Sequence, residues 1–249
     1  MRAIIELRYN FRDIALMNSL LSKIPNHRKG LIYISFTAFL WSTSGFFIKY
    51  LTINAFQISF FRSLIAALTV FFITMARKKK LKFEFDKVSN FAAIFYAGIL
   101  ILFVLATKMT TAANAIFLQF TAPMYLVVLA PLLLKTKFDS KNVVTIIICI
   151  FGMMLFFFFL LELGNIYGNL LAIASGMCFA MFSLLLKYKK VKHKNNNTLN
   201  NVIMGNVLVA VIAFFVVFPD FTLDLTQSLI LLYMGAIQIG VSYIIFNEG

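Results

Sequence analysis

Along most of this chain the apolar positions do not alternate with polar ones at a helical or a strand period; they run on. Eight stretches of about 20 mostly apolar residues, the length that carries a helix across a bilayer, stand out. They are Gly30–Ile48, Ala55–Ala76, Phe91–Thr107, Ala112–Leu134, Val143–Leu161, Tyr167–Leu186, Val202–Phe218 and Leu225–Phe246. The connections are short, which predicts antiparallel neighbours. Phe151–Leu161 reads FGMMLFFFFLL, with no polar face at any helical spacing. A helix apolar all round is buried or faces lipid, and eight cannot all be buried in 249 residues. A water-soluble helical bundle is thereby excluded. The expected fold class is all-α membrane, a multi-span bundle of transmembrane helices with the lipid bilayer as its main partner.

Composition agrees: 61% of residues are hydrophobic and 13% charged, where soluble domains carry about 25% charged residues. The net charge of +14 would fit a nucleic-acid binder only if the basic residues shared one soluble face. They cluster between the spans instead, so no nucleic-acid partner is expected. Arg2, Arg8, Arg12, Lys23, Arg28 and Lys29 precede the first span, and Arg77, Lys78, Lys79, Lys80, Lys82 and Lys87 follow the second. Lys135, Lys137 and Lys141 follow the fourth, and Lys187, Lys189, Lys190, Lys192 and Lys194 the sixth. If each stretch spans once, these 20 of the 23 basic residues share one side. Lys49, Lys108 and the acids Glu162, Asp220 and Asp224 share the other. Such asymmetry puts the basic side in the cytoplasm, with a cytoplasmic N-terminus in a cell inner (plasma) membrane. Residues 1–29 form the expected cytoplasmic tail, either loosely ordered or a short helix on the membrane surface.

Gly30–Tyr50 and Gly168–Tyr188 align without gaps at an offset of 138, each opening on Gly and closing on Lys-Tyr. Five helices separate the copies, and an odd number inverts the second unit relative to the first. The expected organisation is one five-helix unit over 30–161 and a second over 167–249. The second is incomplete, ending after its third helix at Gly249.

Polar residues inside apolar spans are the candidates for chemistry. Trp41 and Ser44 lie in a small polar patch of the first helix, fit either for a cavity wall or for close packing. Arg62 is the one charge well inside a span. It could meet an anionic group, or snorkel to the outer interface. Asn114 and Gln119 precede Pro123, which removes a backbone bond and kinks a helix; they either line a cavity or bridge helices. Gln238 and Tyr243 in the last span carry the same two readings. Ala172, Gly176 and Ala180 recur every four residues, a stripe for close helix packing. Cys149 and Cys178 read as small buried hydrophobes, and His27 and His193 sit in basic loops, poorly placed for a metal. No nucleotide-binding, zinc-protease or nucleophile-elbow motif is present. No enzyme activity, cofactor or metal is expected.

Several segments resemble the EamA family of the drug/metabolite transporter superfamily. AFLWSTSGFFIKY (Ala38–Tyr50) is similar to its opening helix and ISFFRSLIAAL (Ile58–Leu68) to its second. ATKMTTAANAIFLQFTAPMYLVVLAPLLL (Ala106–Leu134) resembles its third-to-fourth helix junction. VTIIICIFGMML (Val144–Leu155) and YMGAIQIGVSYIIFNEG (Tyr233–Gly249) resemble its fifth and eighth helices. Lys135-Thr136-Lys137 stands where the family usually shows Gly-Glu. The resemblance implies ten helices in two inverted halves around a cavity, and transport of small metabolites. The expectation is therefore a secondary transporter working by alternating access on a small-molecule substrate. The substrate-binding residues would be Trp41, Ser44, Arg62, Asn114, Gln119, Gln238 and Tyr243. The alternative is a truncated non-transporting membrane protein or accessory subunit, and a homodimer stays open.

Overall fold

A computed structural model describes residues 26–77, 83, 85–134, 144, 147–148, 151–152, 155, 165–193 and 198–248. The expected fifth span, Val143–Leu161, lies almost wholly outside the described residues. So do most of the N-terminal tail, Cys149, and the basic residues at 78–82, 135–141 and 194. Among the described residues, seven helices are long and apolar enough to cross a membrane, and there is no strand. They are α1 (Arg28–Tyr50), α2 (Ala55–Ala76), α3 (Lys87–Met109), α4 (Ala112–Leu134), α5 (Ile166–Lys192), α6 (Thr198–Val217) and α7 (Leu225–Asn247).

Several run past the apolar stretches that announced them, because capping residues, not hydropathy, set where a helix starts. Asn54 and Gln57 form a reciprocal capping box at the start of α2, and Asp224 and Gln227 form another at α7. Asp86 accepts from the backbone of Val88 and Ser89, so α3 begins four residues before its apolar run.

Three spans are not single regular helices. In α1 the helix is interrupted at Thr43, whose hydroxyl donates to the Leu40 carbonyl at 2.8 Å. In α4 it is interrupted at Phe120 and Thr121, where the Thr121 hydroxyl donates to the Leu118 carbonyl at 2.7 Å. A side chain that bonds back onto its own helix competes with the backbone ladder. Pro123 adds to the second break, lacking the N–H that would reach the Gln119 carbonyl. In α7 a π-helical stretch, Tyr233–Val241, separates two α-helical pieces.

Contacts between helix ends sort the bundle into two faces. At one, Lys108 donates to the Leu51 carbonyl, Gln57 to the Asp220 carbonyl and Gln227 to Thr52, while Thr110 bonds Asn169. At the other, Lys189 at the end of α5 meets Asp86 and Ser89 at the start of α3. The described basic residues of the second and sixth connections thus share an end, and Lys49 and Lys108 occupy the opposite one.

Inside, α3 packs along α5 and α6, while α7 packs on α1 and α2; α2 and α6 lie side by side, and α5 also packs against α4. The small stripe of α5 is buried in this packing, with Ala172 and Ala180 fully covered. At Gly235 a Cβ would come within 2.6 Å of the Ile65 side chain and 2.8 Å of the Arg62 carbonyl, so only glycine lets α7 approach α2 this closely. The apolar interior forms two clusters. One gathers Ala66, Tyr96, Phe182, Val202 and Tyr243 towards the Lys189 end; the other gathers Ile48, Ile58, Phe103, Ala172 and Met234 towards the Lys108 end. The surface reverses soluble-protein habit: Phe39, Phe46, Phe72, Phe215 and Leu132 are exposed while Arg62, Asn206 and Gln238 are buried. That is the arrangement expected where the solvent is hydrocarbon.

Candidate functional site

Between the two apolar clusters lies a cavity of about 260 Å³. Its walls come from α1, α2, α3, α4, α5 and α7, with Leu100, Ile239 and Tyr243 from one cluster and Phe103 from the other. Six of the seven sequence-predicted site residues line it: Trp41, Ser44, Arg62, Gln119, Gln238 and Tyr243. They come from four helices that sequence spacing alone could not bring together. Asn114 does not line the cavity. Its amide is buried near Thr110 and Asn169, within 3.3 and 3.4 Å, and ties the start of α4 to α5. It stands at an end of the bundle because it lies in the first turn of α4, too near the helix start to reach the middle.

Three of the lining residues are held by hydrogen bonds to neighbours. Trp41 donates its indole N–H to Ser242 at 2.8 Å, and its ring packs 5.1 Å from Tyr243 and 5.7 Å from Phe246. Gln119 donates to Ser175 at 2.8 Å, and Ser175 in turn donates to the Ile99 carbonyl at 3.1 Å. Gln119 thus bridges helices and faces the cavity at once. Gln238, fully buried in the π-helical stretch, donates from Nε2 to Thr43 at 2.8 Å. A π turn sets its side chains out of ordinary helical register, a device common at functional sites. Both helix breaks border the cavity, since Ser42, Ser44, Gln119 and Phe120 all line it.

Arg62 departs from the snorkelling alternative. It is 6% exposed and faces inward. Six buried side-chain polar atoms have no hydrogen-bond partner among the described residues. Four belong to residues lining this cavity: Ser44 Oγ, Arg62 Nε and Nη1, and Gln238 Oε1. Buried polar atoms normally find partners, so their gathering at one cavity marks it off from the rest of the interior.

Sequence reasoning missed two supporting residues, Ser242, which receives Trp41 and donates to the Gln238 carbonyl, and Ser175, which receives Gln119. Thr43, which receives Gln238, belongs to the polar patch that the sequence shows around Trp41 and Ser44. A small hydroxyl in an apolar helix is common enough to carry no signal alone. The available hint for Ser242 was its place one turn beyond Gln238, on the same face.

The profile of the EamA-like transporter family matches residues 28–158, just over half of the chain. The chain belongs to that family. The EamA match takes in α1 to α4 and hence the Trp41, Ser44, Arg62 and Gln119 walls of the cavity. One crystal structure of a protein is 14% identical with a TM-score of 0.70, over 90% of this chain and 80% of its own. That likeness is one of fold, and it extends beyond the residues of the EamA match. A search of curated proteins gave no match.

Proposed function

We propose that this EamA-like protein is a secondary transporter that carries small metabolites through the central cavity by alternating access. The observation that carries the reading is the set of partnerless buried polar atoms around one cavity, in a membrane bundle of a transporter family. Such a site is specific without being catalytic: it can hold a solute but offers no nucleophile–base pair.

The contact pattern supports two inverted units, 30–161 and 167–249. If α1, α2 and α3 correspond to α5, α6 and α7, the packing of α3 on α5 and α6 corresponds to that of α7 on α1 and α2. The α2–α6 contact maps onto itself. The cavity draws walls from both sets, so rocking one set against the other would open it to alternate sides. The Asp86–Lys189 pair joins the two sets at the basic end, as an inner closure would. By the positive-inside rule that end is cytoplasmic, placing the N-terminus inside.

The test is a metabolite profile, inside and outside, of cells expressing and lacking the protein, followed by flux into vesicles holding it. A solute that moves only with the protein, with flux cut about two- to tenfold by Gln119→Ala at equal expression, is the expected result; the loss of a neutral hydrogen bond to a bound solute is worth about 0.5–1.5 kcal/mol. Identical profiles, or a flux that Gln119→Ala leaves unchanged, overturn the reading.

A further inference from the structure

We infer that the cavity takes a small organic monoanion, its acidic group held by Arg62 and a hydrogen-bond donor of the same molecule held by Gln238 Oε1. This rests on reading the cavity as the transported solute's site and adds that solute's chemical class.

The charge comes from Arg62. None of the nine acidic residues lies in the interior of a described span, and Asp86, which begins α3, is engaged by Lys189. Two of the guanidinium nitrogens have no acceptor among the described residues. A guanidinium keeps its charge even when buried, and an unpaired buried charge is among the most costly features a fold can hold. A carboxylate relieves it, because it only accepts and offers about four lone-pair positions to charge-assisted bonds. Arg62 is the one Lys or Arg among the described lining residues. A dianion such as a phosphate monoester would leave its second charge against apolar wall, so a single negative charge fits best.

The donor requirement follows from the bonding around Gln238. The Thr43 hydroxyl gives its proton to the Leu40 carbonyl at 2.8 Å. It therefore meets Gln238 as an acceptor, and Gln238 must turn Nε2 towards it, as observed at 2.8 Å. Oε1 is then the free end of the amide, fully buried and without a donor. A hydroxyl or N–H on the solute would satisfy it. Leu100, Phe103, Phe120, Phe179 and Phe246 supply much of the remaining wall, which suits a flat apolar body. The volume of about 260 Å³ is below the usual range of drug-sized clefts, about 300–1,000 Å³.

Trp41 is the chain's single tryptophan and lines the cavity, so its emission reports occupancy directly. The experiment titrates the full chain in detergent with four small probes sharing a phenylpropyl body: 3-phenylpropanoate, 2-hydroxy-3-phenylpropanoate, 3-phenylpropanol and 3-phenylpropylamine. The expected result is a saturable change with both carboxylates, at least about tenfold tighter than the alcohol, as bonds to charged groups imply, and the amine weakest. The hydroxy acid should bind more tightly than its parent, and Gln238→Leu should erase that difference. Arg62→Gln should remove the carboxylate-over-alcohol preference while still binding the alcohol, which shows that it is folded; Arg62→Lys should keep part of the preference. No saturable response to either carboxylate, an amine as tight as the acid, or a preference unchanged in Arg62→Gln overturns the inference. Carboxylate binding without flux in vesicles would defeat the transport reading and leave the site chemistry standing. Flux of a neutral or cationic solute untouched by Arg62→Gln would do the reverse.

Discussion

Two buried cations show how differently this bundle treats charge. Lys189 is 3% exposed, but its ammonium reaches Asp86 at 3.3 Å and the Ser89 hydroxyl. Arg62 has no comparable company. The Lys189 cluster is therefore structural and should show it on acidification. Partial burial pushes the Asp86 carboxyl up, but the Ser89 hydroxyl and then Lys189 outweigh that and hold it below the ordinary value. A carboxyl held low in the folded state stabilises fully above its unfolded value of about 3.9. That contribution is lost as pH falls through the lower folded value. Asp86→Asn keeps an N-cap oxygen but loses the charge, so the variant should melt below the wild type at pH 7 in detergent. The gap should close on acidification below the carboxylate range. A gap equal at both pH values would mean that the charge contributes nothing. At this scale Arg62 and Gln238 were legible because a charge or an amide in an apolar run is conspicuous. Asn206, fully buried with its amide reaching the Val202 carbonyl and the Tyr96 hydroxyl, was equally polar. Nothing in a linear reading tells a polar residue at a helix–helix contact, as here, from one at a cavity.

At the scale of the helix, the irregular segments are where the site is made. The breaks at Thr43 and Phe120–Thr121 and the π-helical stretch of α7 each carry or adjoin residues that line the cavity. Only the second was legible, because proline removes a backbone donor wherever it sits. The Thr43 break, where a hydroxyl bonds back to the Leu40 carbonyl, and the π turn leave no such mark in the composition. Regular segments are instead judged by closeness. Where α6 crosses α3, a Cβ on Gly205 would fall 2.5 Å from Cδ1 of Tyr96 and 3.1 Å from the Ala93 carbonyl. Tyr96 is fully buried and cannot swing away. Gly205→Val should therefore cost about 1–3 kcal/mol or more through overpacking, read as a lower melting temperature in detergent. Val207→Ala, at a position 48% exposed on the same helix, should change it little. Equal melting of the two variants would show that α6 is not pressed against α3.

For the whole molecule, the proposed orientation rests on the basic clusters. The Asp86–Lys189 contact puts the described parts of the second and sixth connections at one end, and the Lys108 and Asp220 contacts mark the other. Reporter fusions after Lys79 and Lys190 should both report the cytoplasm, and fusions after Ile53 and Thr222 the opposite compartment. A split between Lys79 and Lys190 would break the assignment. Chain chemistry alone decided that hydrocarbon surrounds this protein, how many times most of it crosses, and which residues were too polar to sit idly in a span. Those are matters of transfer free energy, additive along a sequence and indifferent to partners. Tertiary structure alone decided that Trp41, Ser44, Arg62, Gln119, Gln238 and Tyr243 converge while Asn114 stays apart. It alone showed that the Gln238 amide turns its nitrogen to Thr43 and leaves its oxygen buried without a donor. Both depend on which faces of separate helices meet, and that is settled by the mutual fit of side chains from opposite ends of the chain.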